Sequence, residues 1–501
     1  MEKQQLLEKF NTYRKKLNAL DLALTTMNFD LNTIAPKKGG AYRFEAMSNL
    51  YGQYFETSIS TDYINTLLQL SELELDELMK KEIELRLISY NKNKNIPVEL
   101  ATKFSLATNE SFEAWQEAKE KNDYSLFEPH LKKVIALSKE MVSYQDNVVN
   151  TYETMLDNFE QGLTQQKVDA FFTVIQERLV PFIKQVVDKK IVKPEFLSRP
   201  VSLEKQRQVT ELIRNYLDFN PEYSYISESA HPFSSTFSIN DTRITTKYLE
   251  NDFTSNIFSI VHEIGHGTYN HQVDSQYEGY AIADAMSMSL HESQSRFLEN
   301  NIGRSYGFWY YLYPQLQEIL KEELADVSLD EFILGINYSE PSLIRIEADE
   351  LTYPLHILIR YNMEQRMINE NITDNLDVLW ADEYEKILGI RPKTNSEGIL
   401  QDVHWSDASF GYFPTYALGS AYACQFYNKL NESVNIEEQL KQGNFVVIKE
   451  WLKENIHQYG GYYLTDEIIF RVCGQSFDPN FYCDYLIEKF TKLFNVSGHS
   501  V

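Results

Sequence analysis

Two histidines and a glutamate stand at a spacing that can do chemistry. Within NDFTSNIFSIVHEIGHGTYNHQ (Asn251 to Gln272), His262, Glu263 and His266 spell H-E-x-x-H. On a helix, residues four apart share a face, so His262 and His266 present two imidazoles to one point. That arrangement suits a tetrahedral zinc ion, and Glu263 lies close enough to reach a metal-bound water without ligating the metal. Chance should produce this pattern on the order of 0.02 times in such a chain, so two buried core histidines are the weaker explanation.

The element that must position them is a helix over 254–271. Thr254 or Ser255 can cap its start, and Asp252 suits the positive end of its dipole. Ile257, Ile260, Val261 and Ile264 recur at helical spacing and should be buried. Gly265 lies between the two histidines, and its missing side chain leaves room for a close neighbour or a substrate.

Two imidazoles and a water leave one protein ligand to find. An H-E-x-x-H-x-x-G-x-x-H continuation is excluded, because Tyr269 and Gln272 stand where Gly and His are needed. A carboxylate from a downstream helix is the other solution. Glu292 is the best-placed candidate, within a helix read over Asp284 to Asn301; Glu278 in a loop and Asp284 are the others. His291 would orient a ligand or meet substrate. The chemistry is metal-assisted hydrolysis, with Glu263 as general base and then acid. A tyrosine hydroxyl in FGYFPTYALGSAYACQFY could steady the oxyanion: Tyr416 first, with Tyr412 and Tyr422 behind it.

The rest of the chain is mainly helical. From Glu2 to about Ile191 the periodicity is helical almost throughout, interrupted by APKKGG at Ala35 to Gly40. Pro194 and Pro200 mark a hinge or a helix-to-helix loop, and a helix resumes over Leu203 to Leu217. Tyr223 to Thr246 alternates and reads as two or three short strands, whose edge could pair with an extended peptide or simply support the helix. Further helices are expected over 342–372, 375–390 and from Tyr416 onward, with a loop at GILQDVHW (Gly398 to Trp405). The expected organisation is a single unit, 1–501, with a helical lobe to about 220 and a catalytic lobe from about 221 holding a sheet over 223–246.

Composition narrows the class. The 501 residues are 43% hydrophobic and 24% charged, as in a soluble globular protein. A net charge of −26 argues against nucleic acid or anionic membrane as partner. Cys424, Cys473 and Cys483 form no disulfide framework, and neither a signal peptide nor an apolar span is seen, so a cytoplasmic protein is expected.

The ordered segments HPF (His231 to Phe233), DTRIT (Asp241 to Thr245), HEIGH, HESQ (His291 to Gln294), IRIEAD (Ile344 to Asp349) and GILQDVHW resemble the carboxypeptidase Taq family across essentially the whole chain. The resemblance implies a mainly helical, clam-like zinc exopeptidase fold with a deep groove, distantly like neurolysin and angiotensin-converting enzyme, and a homodimer. It implies zinc, replaceable by metals such as cobalt, on His262, His266 and Glu292, with Glu263 as acid/base. It implies release of single residues from peptide C-termini, with poor handling of terminal proline. An exopeptidase must grip a free carboxylate, which a guanidinium does well. Arg345 is the first candidate and Arg243 the second, while His231, His404 and Gln401 could hydrogen-bond the substrate or the outer metal shell. Asp402 and Trp405 read as structural. The competing readings are an oligopeptidase cutting internal bonds and, more remotely, a helical binding protein with a structural zinc.

Overall fold

The computed structural model describes residues 2–146, 148–284 and 286–496. Helices dominate, and a three-stranded sheet is set in the middle of the chain. The helical reading of the first half holds, from Glu2–Thr33 through Gln165–Asp188 to Leu203–Tyr216. Ser60, Asp76, Asn150, Thr164 and Ser202 cap helices here through their side chains; Ser202, for instance, accepts from Lys205 N. Between Pro194 and Pro200 lies a short 3-10 turn rather than a free linker, and its Phe196 ring is buried against Phe332.

Apolar side chains sort into one large core and smaller ones. The large core runs from Ala118 to Val496 and draws on both sides of residue 220. A separate core, including Phe10, Leu17, Tyr63, Leu67 and Ile83, belongs to the helices of the first ninety or so residues. Those helices reach the rest of the molecule through local contacts. Asn18 donates to Gly279 O, Glu82 accepts from Ala281 N, and Phe29 packs edge-on against Phe233 and Phe237.

The sheet has the order β1-β3-β2, with β1 Ser224–Glu228 parallel and β2 Ser234–Ser238 antiparallel to the central β3 Asp241–Thr246. Three threonines of β3, Thr242, Thr245 and Thr246, are fully buried. Thr246 bonds Asn256 and Ser259 of the next helix, which fixes the sheet against it.

That next helix, Phe253–His271, carries the histidines and is called the His helix below. Its cap differs from the expectation: Asp252 itself accepts from Ser255 N, and Thr254 Oγ1 bonds Asp252 rather than capping. A carboxylate at this position both satisfies a free N–H and meets the helix dipole, so it displaces the weaker hydroxyl caps. Two other expected helices are shorter than the periodicity suggests. The one read from Asp284 starts at Met288, where Ser287 caps it, and it ends at Arg296 in a π turn, Phe297–Ile302. The one read over 342–372 spans only Tyr353–Ile368. Upstream of it Asp349 accepts from Leu351 N, Thr352 N, Thr352 Oγ1 and Ser339 Oγ, which ties the preceding stretch into a knot incompatible with helix. Among the described residues no helix is long and apolar enough to cross a membrane.

Candidate metal centre

The His helix buries Ile257, Ile260, Val261 and Ile264 and turns His262 and His266 to the opposite, part-exposed side. The helix bearing Glu292, Met288–Arg296, packs directly on it. Gly265 makes that approach possible. A Cβ there would lie 2.6 Å from Gln294 O and from Ser295 Cα, so only glycine admits the neighbouring backbone. On the far side Gly419, in the helix Pro414–Asn431, would set a Cβ 2.8 Å from the Glu292 Cβ. The Glu292 helix is therefore held between two glycine contacts.

His262, His266 and Glu292 converge: one donor atom from each lies within 4.8 Å of the others. Glu292 Oε2 is 3.6 Å from His262 Nε2 and 3.5 Å from His266 Nε2. A tetrahedral ion bound at about 2.0–2.1 Å sets its ligands about 3.3–3.4 Å apart, so these separations fit a zinc-sized cation. Glu278, the nearer alternative, instead accepts from Ile239 N. Neither it nor Asp284 belongs to the cluster.

The surrounding charges prepare the three donors. Glu299 Oε2 lies 2.9 Å from His262 Nδ1, which places the proton on Nδ1 and leaves the Nε2 lone pair facing Glu292. Two lone pairs facing each other at this distance repel unless a cation lies between them, and that chemistry favours a metal. Burial disfavours a charged His262, but Glu292 and Glu299 outweigh it and raise its pKa. Burial also acts against the charged Glu292, yet Arg296 and the two imidazoles hold its carboxyl well below the usual range. Arg296 Nε donates to Glu292 Oε1 at 2.6 Å, leaving Oε2 for the imidazoles, and its Nη1 reaches Glu299 at 3.2 Å. Glu299, half-buried yet flanked by Arg296, His262 and Arg304, is pulled down to about 2.

Glu263 is buried, and its Oε2 has no hydrogen-bond partner. Burial raises its pKa against the pull of His262 and His266, which suits a group that takes up and returns a proton. His291 is not in the cluster. Its ring stacks on His266 with centroids 4.5 Å apart, and its Nε2 meets Asn270 Oδ1 at 2.9 Å. Asn270 in turn donates to Thr236 of β2 at 2.5 Å. Burial and the neighbouring His266 push the His291 pKa well down, so it acts as a neutral buttress.

The other candidates divide. His404 Nε2 lies 3.2 Å from Tyr416 Oη, and the Arg345 guanidinium sits 5.0 Å over the Tyr416 ring, so these three form one group. Tyr412 packs edge-on against Tyr416, whereas Tyr422 is buried against Phe477 in the core. Arg345 Nε donates to Asp402 Oδ1 at 2.9 Å, and the fully buried Arg360 takes the other oxygen. The Gln401 amide is engaged internally, accepting from Arg345 N and Arg360 Nη2 and donating to Leu343 O. Arg243 grips Asp241 with two nitrogens and lies 3.9 Å over Phe237, away from the Arg345 group's partners. The His231 side chain is exposed.

Arg296 and Glu299 were missed by sequence reasoning, although a signal exists. They stand four and seven residues beyond Glu292, which is the same face of a helix one and two turns on.

The chain is similar to known proteins over nearly its full length. The family model for carboxypeptidase Taq (M32) metallopeptidase matches residues 9–490. Carboxypeptidase 1 of Bacillus subtilis (strain 168) is 38% identical over 487 residues, covering 96% of this chain and 97% of the relative. Thermostable carboxypeptidase 1 of Pyrococcus furiosus is 34% identical, covering 97% and 98%. The crystal structure of the M32 carboxypeptidase from Deinococcus radiodurans R1 superimposes with a TM-score of 0.96 at 28% identity, covering 98% of this chain and all of that one. The mainly helical fold is that of M32 carboxypeptidases, and the oligopeptidase alternative gives way. The chain belongs to the carboxypeptidase Taq (M32) family and is a metallocarboxypeptidase.

Proposed function

We propose that the protein is a zinc carboxypeptidase that removes single residues from peptide C-termini, broadly but poorly when the last residue is proline. The reading is carried by the convergence of His262, His266 and Glu292 beside the unpartnered carboxylate oxygen of Glu263. A divalent ion held by these three would polarise the scissile carbonyl and acidify water. Glu263 takes the proton from the attacking water and passes it to the leaving amine. Tyr416, with His404 at its hydroxyl, donates to the oxygen on which negative charge develops.

Arg345 receives the terminal carboxylate. Asp402 fixes its Nε and leaves the guanidinium's outer nitrogens to make a paired contact. Gln401 serves by holding the Arg345 backbone rather than by touching substrate, and Arg243, already paired, orders the sheet near Phe237. An extended peptide lies along the edge of β2, whose Thr236 connects through Asn270 and His291 to the metal centre. The enzyme works as a homodimer in the cytoplasm; its three cysteines are free, as in a reducing compartment.

Mass spectrometry of peptide ladders tests the reading. A free-acid peptide should lose one residue at a time, its C-terminally amidated twin should resist, and Glu263→Gln should abolish cutting while keeping its zinc by elemental analysis. Equal internal cutting of both peptides would overturn it. Sedimentation of the purified protein decides the dimer.

A further inference from the structure

Tyr353 stands between the metal centre and the Arg345 group. It is the first residue of the helix Tyr353–Ile368 and is buried. The Arg296 guanidinium, which holds Glu292, lies over its ring with Cζ 4.3 Å from the centroid. At the other end of the same side chain, Arg345 Nη1 approaches its hydroxyl at 3.5 Å, the outer limit of a hydrogen bond. One rigid phenol thus touches the guanidinium that supports a metal ligand and the guanidinium proposed for the substrate carboxylate. The Asp349 knot makes this possible: it folds 345–353 so that residues eight apart in sequence meet through their side chains, and Tyr353 N bonds Asp349 O at 3.0 Å. Arg296 is held by two carboxylates of its own, Glu292 and Glu299, whereas Arg345 shares Asp402 with Arg360. Tyr353 therefore acts between them as a spacer, with its face to one cation and its lone pair to the other.

We infer that Tyr353 is a positioning residue that sets the distance between the His262, His266 and Glu292 centre and the guanidinium of Arg345, and so fixes the cut at one residue from the end. The inference rests on the reading of Arg345 as the carboxylate receptor. It asks the ring to steady Arg296, and through it Glu292, and the hydroxyl to steady Arg345.

Two variants of the full-length zinc enzyme separate these roles. Tyr353→Phe keeps the ring and removes the hydroxyl. KM for a short free-acid peptide should rise about tenfold with kcat within about twofold, and zinc loss to EDTA should be unchanged. Tyr353→Leu removes the ring as well and should add a roughly tenfold faster loss of zinc to EDTA. Arg345→Lys is the control for the underlying reading and should also raise KM. If Arg345→Lys raises KM while Tyr353→Phe leaves it within about twofold, the inference is overturned and the Arg345 reading stands. If neither variant moves KM, both fall together. An unchanged zinc-loss rate in a folded Tyr353→Leu variant overturns the part that runs through Arg296. Should that variant not fold, the Phe variant decides.

Discussion

Gly265→Ala is expected to damage the metal centre far more than it damages the fold. The added Cβ meets Gln294 O and Ser295 Cα at 2.6 Å, whereas ordinary contact begins near 3.4 Å, so the two helices must part by about 0.8 Å. The Glu292 helix cannot simply retreat, because the helix carrying Gly419 already lies against Glu292. Overpacking of this kind costs about 1–3 kcal/mol, and replacing a mid-helix glycine returns about 1 kcal/mol. The net loss of stability is therefore about 0–2 kcal/mol, a modest shift in melting temperature for a chain of this size. The active site has no such compensation. Moving Glu292 Oε2 off its 3.5 and 3.6 Å separations from the imidazoles spoils the tetrahedral fit. Zinc affinity should fall at least about tenfold by EDTA competition, and kcat/KM about a hundredfold. Gly52→Ala, where a Cβ meets nothing within 4 Å, is the control and should gain up to about 1 kcal/mol with unchanged kinetics. A Gly265→Ala enzyme with wild-type zinc retention and kcat/KM within about threefold would refute the argument that this glycine exists for the helix approach.

Glu299→Gln keeps a hydrogen-bonding group at His262 Nδ1 but removes its charge; zinc affinity should drop about 10–100-fold by chelator competition, with activity recovering at high zinc. Asp402→Asn leaves Arg345 and the fully buried Arg360 without a counter-ion and should cost about 3–5 kcal/mol in urea denaturation. His457, buried between Gln272 and Gln294, has its pKa pushed down from 6.5 to about 3 by burial and by Lys449. The folded protein then binds fewer protons at this ring than the unfolded chain, so stability falls as pH drops from 6.5 toward 3, by up to about 1.4 kcal/mol per unit. A His457→Gln variant lacks that slope, so its deficit against wild type at pH 8 should narrow steadily on acidification, as read by urea midpoints at each pH.

The facing of the two histidines was legible because it is local: residues four apart on a helix with an apolar back need no tertiary information to face the same way. Glu292 was read ahead of Glu278 and Asp284 because its stretch of small and apolar residues could pack closely, and Gly265 was read as leaving room for a close neighbour or a substrate. The shortened helices were not legible, because periodicity continues through 342–352 while Asp349 diverts the backbone with hydrogen bonds that leave no trace in hydropathy. Nor was the separate core of the N-terminal helices, since an amphipathic stripe does not say which core it joins. The partners of Arg345 lay beyond reach for the same reason. Asp402 and Arg360 are distant in sequence, and only the packed loop at Gly398 to Trp405 brings them together.

On the role proposed for Arg345, that packed group accounts for how a strongly acidic protein would select a negatively charged chain end. Arg345 and Arg360 share the single carboxylate of Asp402, so the buried cluster carries one more guanidinium than it has counter-ions. Arg360 is fully buried and spends its remaining nitrogens on His356 O, Tyr384 Oη and Gln401, which leaves Arg345 to present the surplus charge. A terminal carboxylate neutralises that surplus where water is scarce, and there a charge-assisted pair is worth more than it is at the surface. An amide or an internal peptide bond cannot do so and leaves the cation uncompensated. The net charge of −26 therefore bears on solubility and the approach of substrate, while selection under the proposed role would rest on the local imbalance of two cations against one anion.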